Sequence, residues 1–284
     1  MVETMLEIED TPSVAPPAPS SSATDPDLIA AAIAPVVLVT GAARRIGRAI
    51  ALDLAAHGWA VAVHHNASAE AAADVVETIL DAGGRAVALP CDLSRDRETE
   101  ALIDAATLAL GPVTGLVNNA SVFEHDALAT VTRSTWDLHQ QVNLWAPLLL
   151  TQKFARALPE GASGNVVNLI DQRVWNLTPQ FVSYTVSKAG LWTLTRTLAM
   201  ALAPAIRVNA VGPGPVLPSS RQSEEHFRRQ WAGVALARPV QPEEICAAVR
   251  FLLESPSITG QMIAVDAGQH LGSAHRYRDE GGAE

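Results

Sequence analysis

Only two tyrosines and two lysines occur in this chain of 284 residues, and one of each falls in Tyr184-Thr-Val-Ser-Lys188. At a spacing of i and i+4 on a helix the two side chains share a face. An ammonium close to a phenol draws its pKa towards neutrality and can still grip a sugar hydroxyl. That is the chemistry of a proton donor. Arginine carries nearly all the other positive charge, so a retained lysine points to a task that a guanidinium does not perform.

A second cluster lies far upstream. The run Val36–Thr40 leads directly into Gly41-Ala-Ala-Arg44-Arg45-Ile46-Gly47. A glycine just past a strand permits a tight turn, and a glycine three residues into the following helix lets it pack close to the sheet. The helix N-terminus then presents free N–H groups and a positive dipole end to a pyrophosphate. Near the expected end of the second strand the chain reads His64-His65-Asn66-Ala67-Ser68, with no carboxylate before Glu70. A missing acid and two loop arginines favour a ribose 2′-phosphate, hence NADP(H). A solvated surface pair is the other reading of Arg44 and Arg45. The paired histidines read as a strand end rather than a metal site. Asp92 is placed where an adenine amino group would lie, and Asn118 should line the cleft, although each could equally be an Asx turn or a helix cap. The candidate cofactor-binding residues are Gly41, Arg44, Arg45, Ile46, Gly47, His64, Asn66, Ser68, Asp92, Leu93, Asn119, Ala120, Ser121, Lys188, Pro213, Gly214 and Val216.

These residues need a scaffold. Short β-branched runs at Val36–Thr40, Ala60–His64, Ala86–Pro90, Gly115–Asn118, Gly164–Leu169, Ile206–Val211 and Met262–Asp266 alternate with Ala- and Leu-rich segments. The helical segments include Ile46–His57, Ala69–Ala82, Arg97–Leu110, Thr135–Leu158, Ser183–Ala203 and Pro242–Leu253. Strand–helix alternation predicts parallel strands with right-handed crossovers. The expected fold is α/β, a single-domain Rossmann-like doubly wound parallel sheet over residues 34–272. A disordered extension is expected at 1–33 and a loose tail at 273–284. Hydrophobic residues make up 48% of the chain and aromatics 5%, the composition of a buried sheet under Ala-rich helices. A net charge of −10 argues against a nucleic-acid or anionic-membrane partner. No apolar run reaches membrane-spanning length, and no secretory signal pattern opens the chain. Two cysteines form no disulfide framework, and no His/Cys group has metal-ligand spacing. A reducing cytoplasm is the expected location.

In this order and at these separations, TGAARRIG, NNAS, QVNL, YTVSK and VGPGP resemble the short-chain dehydrogenase/reductase family, from about Ala34 to Gly272. The resemblance implies that Tyr184 donates the proton, that Lys188 lowers its pKa and binds ribose, and that Asn143 helps hold a relay water. It places the turn Pro213–Pro215 beside the nicotinamide. It also implies a homotetramer, and Trp145, Leu148, Trp192, Leu194 and Leu198 supply apolar surface for helix pairing.

Two departures narrow the reading. Arg45 stands where the cofactor loop of the family has its third glycine, and Asp171 stands where it has its catalytic serine. An ionised aspartate would repel a developing oxyanion, whereas it accepts bonds from N–H groups or, when protonated, relays a proton to nitrogen. Both departures, with Phe123 two places after NNAS, resemble the pteridine reductase branch. That resemblance implies NADPH-dependent reduction of a pterin or dihydropterin ring stacked on Phe123. Arg45 and Ser121 would contact cofactor or substrate. The catalytic set is Asp171, Tyr184, Lys188 and Asn143. The substrate set is Arg45, Ser121, Phe123, Asp171, Tyr184 and Trp231. Phe123 as a hydrophobic plug and Asp171 as a cap are the structural alternatives. The segment Pro218–Pro239, with Arg221, Arg228, Arg229 and Arg238, reads as a mobile lid or as solvated charge in equal measure. A carbonyl reductase of the same family and a non-catalytic nucleotide-binding protein are the competing functions.

Overall fold

The structure, a computed structural model, describes residues 34–218 and 222–272. The extension expected at 1–33, the tail expected at 273–284 and Arg221 lie outside the described residues.

Seven β-branched runs pair as one parallel sheet in the order β3-β2-β1-β4-β5-β6-β7. They are β1 (Val36–Val39), β2 (Ala60–His65), β3 (Ala86–Pro90), β4 (Val113–Asn118), β5 (Gly164–Leu169), β6 (Ile206–Pro213) and β7 (Met262–Val265). Every residue of β1 and β2 is buried, as parallel strands covered on both faces require. Alternation sends Val37, Val39, Val61 and Val63 to one core cluster and Val36, Leu38, Ala60 and Ala62 to another. Helices α1 (Arg45–Ala56), α2 (Ala69–Asp81) and α8 (Pro242–Glu254) close the first face through Ile50, Leu54, Val75 and Val249. Helices α3 (Asp96–Leu110) and α5 (Ala146–Ala157) close the second through Leu102, Ile103, Leu150 and Phe154. Two further helices, α4 (Arg133–Gln140) and α6 (Val182–Ala201), carry side chains towards the carboxyl edge of the sheet.

Strand order reverses beside β1, whose neighbours are β2 and β4. Open α/β sheets bind ligands outside the carboxyl ends of their strands at such a point. The expected strands are all present, with ends that move by at most two residues. The helix expected over Thr135–Leu158 is interrupted: a π-helical turn, Gln141–Trp145, joins α4 to α5. Such turns cost regular hydrogen bonding and recur at functional sites. Asn143 lies within it. The segment expected as irregular over Pro218–Pro239 contains α7 (Glu224–Ala232), none of whose residues is buried.

Candidate active site

A cleft of about 670 Å³ opens at the switch point. Its floor is the turn between β1 and α1. Gly41 takes φ +64°, in the left-handed region, and a Cβ on Gly47 would lie 2.2 Å from the Gly41 carbonyl oxygen and 2.5 Å from Asn119 Nδ2. Glycine is required there by space. Asn119 Nδ2 donates to the carbonyls of Thr40 at 2.8 Å and Gly41 at 3.2 Å, while Thr40 Oγ1 accepts the N–H groups of Asn119 and Ala120. The first turn of α1 has no acidic residue, and its N-cap, Arg44, makes no side-chain cap bond. Its N–H groups therefore remain open to an anion. A dinucleotide phosphate fits this turn.

His64 adds a strut that nothing local announces. Gly41 N–H donates to its Nδ1 at 2.9 Å, which leaves Nε2–H to donate to the Cys91 carbonyl at 3.0 Å. Burial pulls its pKa down to about 4, so it is a neutral brace and not a cation for phosphate. Asp92 lines the cleft but also closes an Asx turn, its Oδ1 accepting Ser94 N–H at 2.9 Å. Bonds from Ser94, side chain and backbone, hold its carboxyl below the ordinary range.

The structure brings Gly41, Arg44, Arg45, Ile46, Gly47, His64, Asn66, Asp92, Leu93, Asn119, Ala120, Ser121, Phe123 and Tyr184 to the cleft wall. The same wall includes Cys91, Val122, Leu138 and Val142, which the sequence motifs do not single out. Ser68 is the N-cap of α2 and makes no cap bond. Gly214 lies against Asp266, where a Cβ would approach its Cα to 2.6 Å, and Val216 is buried. Ser68, Pro213, Gly214, Val216 and Trp231 do not line the cleft, and Asn143, Asp171 and Lys188 lie behind its wall, in contact with residues that do or with the strand beneath. The expectation for Asn118 is corrected. Its side chain turns into the sheet and donates to Asn168 Oδ1 at 2.8 Å, because successive side chains of β4 face opposite ways. Asn119 takes the place beside the cleft.

At the far end Tyr184 Oη donates to Asp171 Oδ2 at 3.0 Å. Desolvation raises the Asp171 pKa, opposed chiefly by the Arg173 backbone N–H and guanidinium. Burial and then the Asp171 charge push the Tyr184 phenol well above the ordinary tyrosine range. The expected lowering by Lys188 is therefore not found. Lys188 Nζ donates to the Leu169 carbonyl at 2.8 Å, and burial draws its own pKa down to about 8. Asp171 is the group that touches the phenol. It is also the N-cap of a short 3-10 turn, its Oδ1 accepting Arg173 N–H at 2.8 Å, so the capping role and the chemical one coexist on its two oxygens.

Asn143 is fully buried. Its Oδ1 accepts Val122 N–H at 2.8 Å and Ser121 Oγ–H at 3.2 Å, and its Nδ2 donates to the Val122 carbonyl at 2.9 Å. Phe123 follows at once. Its ring stacks on Phe181 with centroids 4.4 Å apart and planes 6° apart, and Tyr184 meets it edge-on at 4.7 Å. At 39% exposed Phe123 is no core plug. Phe181 itself holds φ +57°, an unfavourable place for an aromatic residue. Arg45, at φ +55°, donates to the Pro218 and Leu217 carbonyls at 2.8 and 3.2 Å. It thereby ties the cofactor loop to the segment beyond β6. Arg238 is paired in bidentate fashion with Glu244, which leaves it little capacity to attract a substrate.

The family model described as enoyl-(acyl carrier protein) reductase matches residues 41–270. A short-chain type dehydrogenase/reductase of Picea abies is 32% identical over 82% of this chain and 92% of its own. The chain belongs to the short-chain dehydrogenase/reductase family. A 3-oxoacyl-[acyl-carrier-protein] reductase of Synechocystis is 34% identical over 83% of this chain and 96% of its own. Among solved structures, the short-chain fold here is similar to FolM alternative dihydrofolate reductase 1 from Brucella canis, complexed with NADP. The two are 50% identical over 84% of this chain and 94% of that one, with a TM-score of 0.82.

Proposed function

We propose that this short-chain reductase uses NADPH to reduce the C=N bond of a pterin- or dihydropterin-like ring. The observation that carries the reading is the Tyr184–Asp171 hydrogen bond beside the exposed ring of Phe123. NADPH bound at the β1–α1 turn would supply the hydride. The nitrogen of the reduced bond needs one proton, and the Tyr184 phenol, hydrogen-bonded to Asp171, holds one that burial keeps on it. A protonated Asp171 donates well to nitrogen, whereas ionised it would repel the oxyanion of a ketone. Phe123 offers a flat face to the ring. Similarity to an NADP-bound FolM dihydrofolate reductase supports the same assignment.

NADPH oxidation, followed by its absorbance with a dihydropterin panel and a 3-oxoacyl thioester, tests the reading. Turnover on pterins that collapses in both Tyr184→Phe and Asp171→Ala is expected. Turnover on the thioester alone would transfer the protein to carbonyl reduction. Saturable NADPH binding without turnover on either would make it a nucleotide-binding protein.

We also propose a homotetramer in the reducing cytoplasm. Trp145, Leu148 and Leu194 line an apolar groove of about 1040 Å³ along α4, α5 and α6. Trp192 and Leu198 do not line it and pack on core clusters, as Leu194 does in part. A monomer by light scattering would remove the assembly from the proposal. Among the described residues no helix is long and apolar enough to cross a membrane, and no group of three metal-ligating side chains occurs.

A further inference from the structure

The residues on either side of Phe123 are both held by side chains from one stretch of helix. Val122 is bracketed by Asn143, as described above. Glu124 N–H donates to His139 Nε2 at 3.0 Å. His139 and Asn143 are four residues apart, across the junction of α4 and the π-helical turn. The Phe123 backbone thus hangs between two pegs.

The second peg is anchored in turn. Because Nε2 accepts, Nδ1 carries the imidazole proton and donates to Ser183 Oγ at 2.7 Å. The Ser183 hydroxyl then donates to Asp126 Oδ2. His139, Ser183 and Asp126 are all buried, at 0%, 0% and 1% exposed. Asp126 also accepts Ser183 N–H at Oδ1, and its carbonyl accepts Phe181 N–H at 2.6 Å. One chain of bonds therefore joins the loop carrying Phe123 to the start of α6, whose N-cap is Phe181 and whose first turn carries Tyr184.

We infer that His139 is a positioning residue for substrate binding, acting through Glu124 N–H to set the place of Phe123, with Ser183 and Asp126 holding its ring in register. The inference rests on the ring-stacking role proposed for Phe123. It ascribes no proton transfer to His139. A part-buried N–H that loses its acceptor must find another, and the loop would shift to supply one. Displacement of Phe123 weakens the hold on the flat ring and leaves the β1–α1 turn untouched.

Two substitutions separate the two bonds of the imidazole. In His139→Asn the amide reaches about as far as Nδ1, so the contact to Ser183 is retained and that to Glu124 is lost. In His139→Gln an amide oxygen reaches about as far as Nε2 and can again accept from Glu124. Amide hydrogen exchange across residues 122–127 is expected to accelerate roughly tenfold in His139→Asn. The KM for the dihydropterin should rise roughly tenfold, with the KM for NADPH moved by less than about twofold. His139→Gln should recover most of both effects. Exchange that stays at the wild-type rate, or a KM for NADPH that moves together with that for the pterin, would overturn the inference. Should His139→Asn fail to fold, Ser183→Ala cuts the chain one bond further away and should show the same pattern at smaller amplitude. A wild-type enzyme inactive on every pterin would defeat the functional reading alone, since the exchange rates still decide whether His139 holds the Phe123 loop.

Discussion

The two ends of the cleft are built by different means. At the nucleotide end the wall is backbone, closely packed and fixed by short bonds: Gly47 against Gly41, Asn119 on Thr40, His64 on Gly41 and Cys91. The substrate end is built of side chains: an aromatic stack half open to solvent, a half-buried acid on a phenol and a phenylalanine with a positive φ. The first arrangement suits a ligand whose phosphates recur across many enzymes, because N–H groups recognise charge without regard to the rest of the molecule. The second suits a ligand that differs from one enzyme to the next. Changes at one end should therefore leave binding at the other nearly intact.

The largest effect expected from breaking this division is that of Tyr184→Phe. Loss of a positioned proton donor costs about 10²–10⁴ in kcat, and the KM for NADPH should stay within about twofold. A comparable loss of NADPH affinity would show the two ends to be one unit. Asp171→Asn comes next, at roughly 10²-fold in kcat. The sign of its pH dependence follows from the raised pKa. The carboxyl carries its proton below that pKa, so wild-type kcat should fall as pH rises through it, while the KM for NADPH stays level. In Asp171→Asn that limb should vanish. A limb that persists in the asparagine variant would assign it to another group.

How far the sequence exposes each end follows from the same contrast. The parallel sheet was legible because every strand is a short β-branched run between longer helical ones, and its buried faces leave little choice of partner. The cofactor turn and Tyr184–Lys188 were legible because the residues of each motif lie within a few positions of one another along the chain. Asn118 was misassigned by one position, which in a strand is the difference between cleft and sheet interior. His64 was named among the cofactor-binding candidates, but its bracing role was not legible because it depends on Gly41 and Cys91, each more than twenty residues away. Phe181, His139 and Asp126 carry no motif at all. Asp126 meets Ser183 across 57 residues and His139 meets it across 44, and no local periodicity reports such a junction. The pKa of Tyr184 escaped for a related reason. The residue four places along lies on the same face, yet the group that touches the phenol comes from the end of β5.

Gly47→Ala sharpens the comparison from the nucleotide side. The new Cβ would overlap a backbone carbonyl, which cannot rotate away as a side chain would, so the turn must open at a cost of about 1–3 kcal/mol. A rise in the KM for NADPH of roughly tenfold is expected by steady-state kinetics. The KM for the pterin, measured at saturating NADPH, should move little. A pterin KM that rises as far would mean that Phe123 and the cofactor turn are mechanically joined.

The smallest effect, and the one that separates charge from shape at the nucleotide end, is expected from His64→Gln. If His64 bound phosphate as a cation, the KM for NADPH would climb as pH rises from 5 to 8 and the imidazole lost its proton. With its pKa held down at about 4 by burial, the ring is neutral across that range, so its own titration should leave the KM flat there. Removal of the brace should then weaken NADPH binding by only about threefold, equally at every pH in the range. Stability should follow the opposite end of the scale. A histidine depressed from 6.5 to about 4 favours the folded state above pH 6.5, and that contribution fades as pH falls towards 4. Denaturant unfolding should therefore show the gap between wild type and His64→Gln narrowing over this acid window and constant above it. A gap that instead widens on acidification would mean that the folded protein holds His64 protonated, and the cationic role in phosphate binding would be restored.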